Sequence, residues 1–262
     1  MSGRGANAQR TNSARPVDQV APLTPNAWLR YDVVRRMIPP TVSDVLEIGC
    51  GMGALGVRLS TRYRYLGLEP SPESFAVAEQ RMAVGGRGEV RNVLAEDLDP
   101  ADRFDLVCAF EVLEHIEDDA AALRSWAQRV RPGGWLLLSV PAHQKRFAAG
   151  DEITGHFRRY EPADLASLLE KTGFVRPEVR EYGMPLGFAL EAGRNLVVRR
   201  RIAATQNASK AELTGASARL LQPKGALYGK VARFGTAPFR MAQRAFPHNG
   251  TGLVARAQLP AA

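Results

Sequence analysis

From residue 44 onward the apolar positions fall into short runs, separated by stretches of helical periodicity. The runs 44–49 (DVLEIG), 63–70 (YRYLGLEP), 88–97 (GEVRNVLAED), 104–113 (FDLVCAFEVL) and 135–142 (WLLLSVPA) read as five strands. Between them, residues 54–61, 71–84 and 118–130 read as helices; the second opens with Ser-Pro-Glu and the third stops at Pro132-Gly133-Gly134. Upstream, Trp28, Tyr31, Val34 and Ile38 lie near helical spacing, which predicts a leading helix over 25–38. Apolar strands alternating with helices predict a parallel sheet covered on both faces.

After the fifth strand the pattern changes. Residues 151–160 (DEITGHFRRY) read as a loop, 162–171 as a helix ending at Gly173, and 175–183 (VRPEVREYG) as a sixth strand. Residues 187–245 read as a helical insertion or lid with breaks at 207–210, 214–217, 222–225 and 235–238, and residues 250–259 (GTGLVARAQL) as a last strand. The expected division is a disordered tail over 1–24, a core over 25–186, the insertion over 187–245, and the last strand with a tail over 246–262.

Charge sharpens this division. The net charge is +8, yet Arg194 to Arg244 holds 11 basic residues and one acid, Glu212, so the excess sits in the insertion. Apolar and cationic residues interleave there, which suits an anionic membrane surface, a lid over a substrate, or simply a solvated face. No RNA-reading string is present, which ranks nucleic acid lower. Two cysteines, Cys50 and Cys108, suggest neither a disulfide framework nor a thiolate metal cluster and fit a reducing cytoplasm. No run of 18 apolar residues occurs, and residues 1–27 lack the apolar centre of a secretory signal.

Candidate chemistry begins where the first strand meets a glycine-rich turn. Gly51-Met52-Gly53-Ala54-Leu55-Gly56 matches G-x-G-x-x-G, with Glu69 ending the second strand, so a dinucleotide and other nucleoside cofactors compete for this site. Glu47 lies two residues before Gly49, and a carboxylate there would repel a pyrophosphate while tolerating a cationic ligand. Residues 95–98 (AEDL) place paired acids after the third strand.

These blocks, in this order, resemble the class I S-adenosylmethionine-dependent methyltransferases, and most of all their broad small-molecule branch, over residues 29–181. The resemblance implies a Rossmann-like α/β fold with a seven-stranded, mostly parallel sheet whose antiparallel last strand lies between strands five and six. It also implies S-adenosyl-L-methionine as cofactor and methyl transfer to an O, N or C atom of a small or lipid-linked acceptor. Carried over, Glu47, Gly49, Cys50, Gly51 and Gly53 surround the methionine end, with Tyr31 or Arg30 meeting its carboxylate. Glu69, followed by Pro70, accepts from the ribose; Asp97 and Leu98 meet the adenine; Phe110 and Glu111 line the methionine and face the acceptor. His156 and His143 are candidate bases, and His115, Arg158, Arg159 and Tyr160 candidate acceptor contacts, Arg158 and Arg159 favouring phosphate or carboxylate. Each has a plainer reading: Asp97 as a turn cap, Asp151 and His156 as a loop latch, and Arg158 and Arg159 as salt-bridge partners. A nicotinamide-dependent oxidoreductase and a silent cofactor-binding adaptor stand as alternatives.

Overall fold

The computed structural model describes residues 17–204 and 226–261. The expected tail up to residue 16 and the breaks at 207–210, 214–217 and 222–225 lie outside the described residues. In chain order the elements are α1 (Val17–Val20), α2 (Pro25–Met37), β1 (Asp44–Ile48), α3 (Gly56–Leu59), β2 (Arg64–Leu68), α4 (Pro72–Gly85), β3 (Glu89–Arg91) and β4 (Phe104–Phe110). There follow α5 (Asp119–Ala127), β5 (Val130–Pro141), α6 (Ala149–Thr154), α7 (Pro162–Lys171), β6 (Val175–Gly183), α8 (Leu186–Ala204), α9 (Ala226–Gly235), α10 (Ala237–Ala242) and β7 (Gly250–Gln258).

The sheet order is β3-β2-β1-β4-β5-β7-β6, with β7 antiparallel to both neighbours and the other pairings parallel. Alternation along the strands divides the core in two. Leu46, Val107, Leu136 and Leu138 face one way, against Leu123 of α5 and Leu165 and Leu169 of α7. Val45, Leu106, Leu137 and Val254 face the other, against Leu29 and Val34 of α2. This is the two-sided burial that continuous apolar strands require.

Among the boundaries that differ from the sequence reading, three bear on the site and its surroundings. The third strand stops at Arg91, because an edge strand has one neighbour; beyond it Asn92 donates its side-chain amide to Glu69 O (2.7 Å) and residues 95–97 form a 3-10 turn. The fifth strand starts at Val130, and Pro132-Gly133-Gly134 is absorbed as an irregularity in the β4–β5 ladder, with Gly133 at φ 76°. Residues 151–154, read as part of a loop over 151–160, belong to α6, which is stopped by Gly155 in the left-handed region. Strand order reverses between β1 and β4, which opens a crevice at their carboxyl ends.

Candidate active site at the carboxyl ends of the strands

The turn leaving β1 is shaped by its glycines. Gly49 and Gly51 have φ of 66° and 55°, in the left-handed region that costs other residues about 1–2 kcal/mol. A Cβ on Gly49 would lie 2.7 Å from Val112 Cγ2, whereas one on Gly51 would meet nothing within 4 Å. Gly49 is therefore tight for packing, and Gly51 opens on empty space. Gly53 packs against Ala78 of α4. Glu69, buried, fastens the turn: Gly51 N–H donates to Oε2 (2.8 Å) and Ser71 N–H to Oε1 (2.9 Å). A carboxylate has about four acceptor positions, so each oxygen keeps one for a ligand hydroxyl.

Two cavities meet at Gly49. The first, about 580 Å³, is bordered by Arg30, Glu47, Cys50, Gly51, Phe110 and Glu111. The second, about 570 Å³, is mainly apolar and bordered by Leu68, Pro70, Leu94, Val112 and Trp126, with Glu96 at its edge. At the polar end the Arg30 guanidinium lies 3.2 Å from Glu111, and its Nε is buried with no hydrogen-bond partner among the described residues. Burial pushes the Glu47 carboxyl up to about 7, against the hydrogen bond it accepts from Tyr65 OH (2.7 Å). A buried guanidinium and a buried carboxyl in one cavity complement the carboxylate and ammonium of an amino acid. The apolar cavity across Gly49 suits a flat heterocycle. These residues fit S-adenosylmethionine, an amino acid joined to a nucleoside.

Several expected contacts take other places. Tyr31 borders a separate cavity, and of the two candidates on α2 it is Arg30 that borders this one. Asp97 accepts Leu94 N–H (2.9 Å) and caps its own turn, Leu98 is in the core, and Glu96, held by Ser125 OH (2.9 Å), borders the apolar cavity. The Cys50 thiol is held well above its usual range, first by burial and then by the Glu47 charge. It is a packing group rather than a nucleophile.

Glu111 is also a wall of a third, smaller chamber of about 110 Å³, which His156, Arg159, Tyr182, Glu191 and Arg194 border. Its backbone is strained at φ 59°, and Ser139 OH holds its carboxylate at 2.9 Å. His156 Nδ1 sits 3.0 Å from Asp151 Oδ1, and its ring meets His115 edge-on at 4.7 Å between centroids. Asp151 is wholly buried. Arg159 grips it through Nη2 (2.8 Å) and Nε (3.1 Å), and Ala148 N–H donates at 2.9 Å. Burial opposes that charge, but His156 and Arg159 outweigh it and hold the carboxyl far below its usual range. A carboxylate fixed on Nδ1 orients the ring and leaves Nε2 as the basic nitrogen. Nε2 lies 3.9 Å from Glu114, whose two oxygens are buried without a hydrogen-bond partner among the described residues. Burial, then the Glu111 charge, raises the Glu114 carboxyl well above its usual range, which favours its neutral form. His115 shifts down, through burial and then the neighbouring His156.

His143 has a different setting from the one expected. Its Nδ1 is 2.9 Å from Glu161 and its Nε2 3.1 Å from Glu181, so both nitrogens clamp the ends of β5 and β6 and neither is left to take a substrate proton. Arg158 is taken by Asp119 (2.8 Å) and Glu117 O (2.6 Å), and Tyr160 OH by Asp119 (2.9 Å). Sequence reasoning missed Glu191 and Arg194. Glu191 is the one acid in the otherwise basic stretch 186–204, and that isolation was the available signal.

Residues 25–176 match the family model described as methyltransferase domain. A ubiquinone biosynthesis O-methyltransferase of Leptothrix cholodnii is 35% identical over 132 residues, 48% of this chain and 54% of that protein. The protein of the same name from Xanthomonas axonopodis pv. citri is 31% identical over 170 residues, 58% of this chain and 70% of that one. The chain thus spans about half to two thirds of the length of these two relatives. Among solved structures, an S-adenosylmethionine dependent methyltransferase from Mesorhizobium loti superposes with a TM-score of 0.56 at 17% identity, covering 89% of this chain and 99% of that one. With the strand order, the glycine turn and a match over more than half its length, the chain belongs to the methyltransferase domain family, as a class I S-adenosylmethionine-dependent methyltransferase.

Proposed function

We propose that the chain transfers the methyl group of S-adenosylmethionine to an oxygen of a small or lipid-linked acceptor held in the chamber beside Glu111. The observation that carries this reading is His156, oriented by Asp151, on the wall of a chamber that shares Glu111 with the cofactor cavity. The names of the two relatives, O-methyltransferases of ubiquinone biosynthesis, favour oxygen over nitrogen or carbon and a hydroxyl-bearing acceptor.

In this reading the cofactor supplies an activated methyl at a cationic sulfur. Arg30 and Glu47 hold its amino-acid end, Glu69 its sugar, and the apolar cavity its base. His156 takes the acceptor's hydroxyl proton at Nε2, and Asp151 steadies the imidazolium that results. Alignment of the acceptor with the cofactor supplies much of the acceleration. Glu47 and Glu111 disfavour a pyrophosphate in the same place, which sets the nicotinamide alternative aside.

Residues 187–245 act as a lid in this reading, α8 closing the chamber with Glu191 and Arg194. Among the described residues no helix is long and apolar enough to cross a membrane. Leu227, Val231, Phe234 and Met241 are nonetheless exposed on α9 and α10, which supports peripheral contact of residues 194–245 with an anionic membrane from the cytoplasmic side. The test is incubation with methyl-labelled S-adenosylmethionine and fractionated lysate, lipids included. Label should enter an acceptor with wild type, and His156→Ala should lower the rate about 10²- to 10⁴-fold with cofactor affinity intact. Full activity in His156→Ala removes the base from the reading, and label in no fraction removes the reaction.

A further inference from the structure

Two arginines border the chamber beside Glu111: Arg159, which follows α6, and Arg194 of α8. Their donors are in different states. Arg159 spends its own on Asp151 through Nε (3.1 Å) and Nη2 (2.8 Å), and on Glu191 (2.9 Å) and Ala142 O (3.4 Å) through Nη1. Arg194 makes one ionic contact among the described residues, Nη2 to Asp151 Oδ1 at 4.0 Å, and its Nε is buried with no hydrogen-bond partner among them.

That contact is too long for a hydrogen bond, and Asp151 has no place left to shorten it. Its Oδ1 takes His156 Nδ1 (3.0 Å) and Arg159 Nε (3.1 Å), and its Oδ2 takes Arg159 Nη2 (2.8 Å) and Ala148 N–H (2.9 Å). Those four fill the acceptor positions of a carboxylate. The other acids on the chamber wall are tied elsewhere, Glu191 by Arg146 (2.8 Å) and Arg159 (2.9 Å), Glu111 by Arg30 (3.2 Å) and Ser139 OH (2.9 Å). Gly150 of α6 decides where the guanidinium lies. A Cβ there would stand 3.0 Å from Asn195 Oδ1, 3.4 Å from Arg194 Nε and 3.7 Å from its Cζ, so the bare glycine lets α8 seat Arg194 against α6 at the chamber wall. Arg158 and Arg159, expected to meet a phosphate or carboxylate, are spent within the protein; Arg194 stands free to do so.

We propose that Arg194 binds a carboxylate of the methyl acceptor, which is then a hydroxy acid with its acid end on the Arg194 guanidinium and its hydroxyl at His156 Nε2. One guanidinium offers two parallel N–H donors, the match for the two oxygens of a carboxylate. His156 and Arg194 flank the same oxygen of Asp151, so both ends fall within the reach of one small molecule. The chamber, about 110 Å³, holds a single ring or a short chain. Placing the hydroxyl rests on the methyl-transfer reading; placing the acid does not.

The experiment is calorimetric titration of the whole chain, saturated with S-adenosylhomocysteine, with 3-hydroxybenzoate and with 3-hydroxybenzamide, which keeps the ring and hydroxyl and lacks the charge. Wild type is compared with Arg194→Gln and Arg194→Lys, with S-adenosylhomocysteine affinity and melting temperature as controls. Wild type should bind the acid at least tenfold more tightly than the amide, Arg194→Gln should bring that preference below twofold, and Arg194→Lys should keep part of it, while the controls hold. Equal affinity for the two probes in wild type overturns the proposal, as does binding of neither or a preference that Arg194→Gln keeps. Should Arg194→Gln melt early, Arg194→Lys decides: a preference at least threefold weaker than that of wild type supports the fork, and an undiminished one overturns it. Turnover is followed separately with methyl-labelled S-adenosylmethionine and lysate. Acid preference with label in no fraction keeps the carboxylate site and removes the methyl-transfer reading; label in a product together with unselective binding does the reverse.

Discussion

Gly49 and Gly51 share a backbone conformation, yet they answer to different demands, and substitution separates them. Gly51→Ala adds a methyl group into open space, so the fold pays only the left-handed torsion, about 1–2 kcal/mol, or a melting temperature lower by some 2–4 °C per kcal/mol. Calorimetry with S-adenosylhomocysteine should nevertheless show affinity reduced at least tenfold, because that space is the cavity. Gly49→Ala adds a clash with Val112 to the same torsion and should melt lower still. Equal affinity in Gly51→Ala and wild type would mean that the cavity lies elsewhere. The turn was legible in the sequence because a left-handed torsion is a local demand that only glycine meets at no cost. The environment of His143 was not. Its partners Glu161 and Glu181 are 18 and 38 residues away, and only the tertiary fold, with Glu161 at the start of α7 and Glu181 on β6 across β7 from β5, brings them to the ring. Between these extremes lies Asp97, whose acid was visible but whose aim depends on a 3-10 turn that forms where the edge strand gives out.

At the scale of elements, one acidic residue of α8 ties the helix to the chamber. Glu191 reaches Arg159 (2.9 Å) and Arg146 (2.8 Å), tying the helix over the chamber to the buried Asp151 cluster. Glu191→Gln loses two charge-assisted hydrogen bonds and should cost about 2–3 kcal/mol locally. Hydrogen exchange should then quicken at least tenfold across Leu186–Ala204 while β4 and β5 keep their protection; an unchanged α8 would mean that apolar packing alone holds it. The strands themselves needed no such tertiary knowledge. Five alternating or continuous apolar runs, each ended by glycine, proline or an acid, carried the sheet, and the resemblance supplied the place of β7. What escaped was the length of elements whose ends depend on neighbours: β5 extends back to Val130 because Phe104 pairs with it, and α6 forms because Asp151 accepts Ala148 N–H and caps it. Neither pairing leaves a periodic trace.

Taken as one molecule, the protein sets two kinds of buried carboxyl against each other. Asp32 and Asp151 are held below their usual range by arginines, and in the case of Asp151 by His156 as well, so their stabilisation is present above about pH 4 and is lost as the pH falls further. Glu47 and Glu114 are held above it by burial, so theirs is complete below about pH 4.5 and is lost as the pH rises, for Glu47 through about 7. The ligand-free chain should therefore resist denaturant best near pH 5 and weaken toward pH 8, Glu47 alone contributing on the order of 3 kcal/mol to that decline. Glu47→Gln should flatten the alkaline side of the curve. The same carboxyl links stability to binding. A ligand cation beside Glu47 favours its ionised form, so loading with S-adenosylmethionine near pH 6 should release protons, seen as a binding heat that changes with the ionisation enthalpy of the buffer. The release should shrink at pH 8.5, where Glu47 is already ionised, and vanish in Glu47→Gln. Binding heats that are independent of buffer at pH 6 would place the cationic end of the cofactor away from Glu47, and the paired recognition by Arg30 and Glu47 would have to be abandoned.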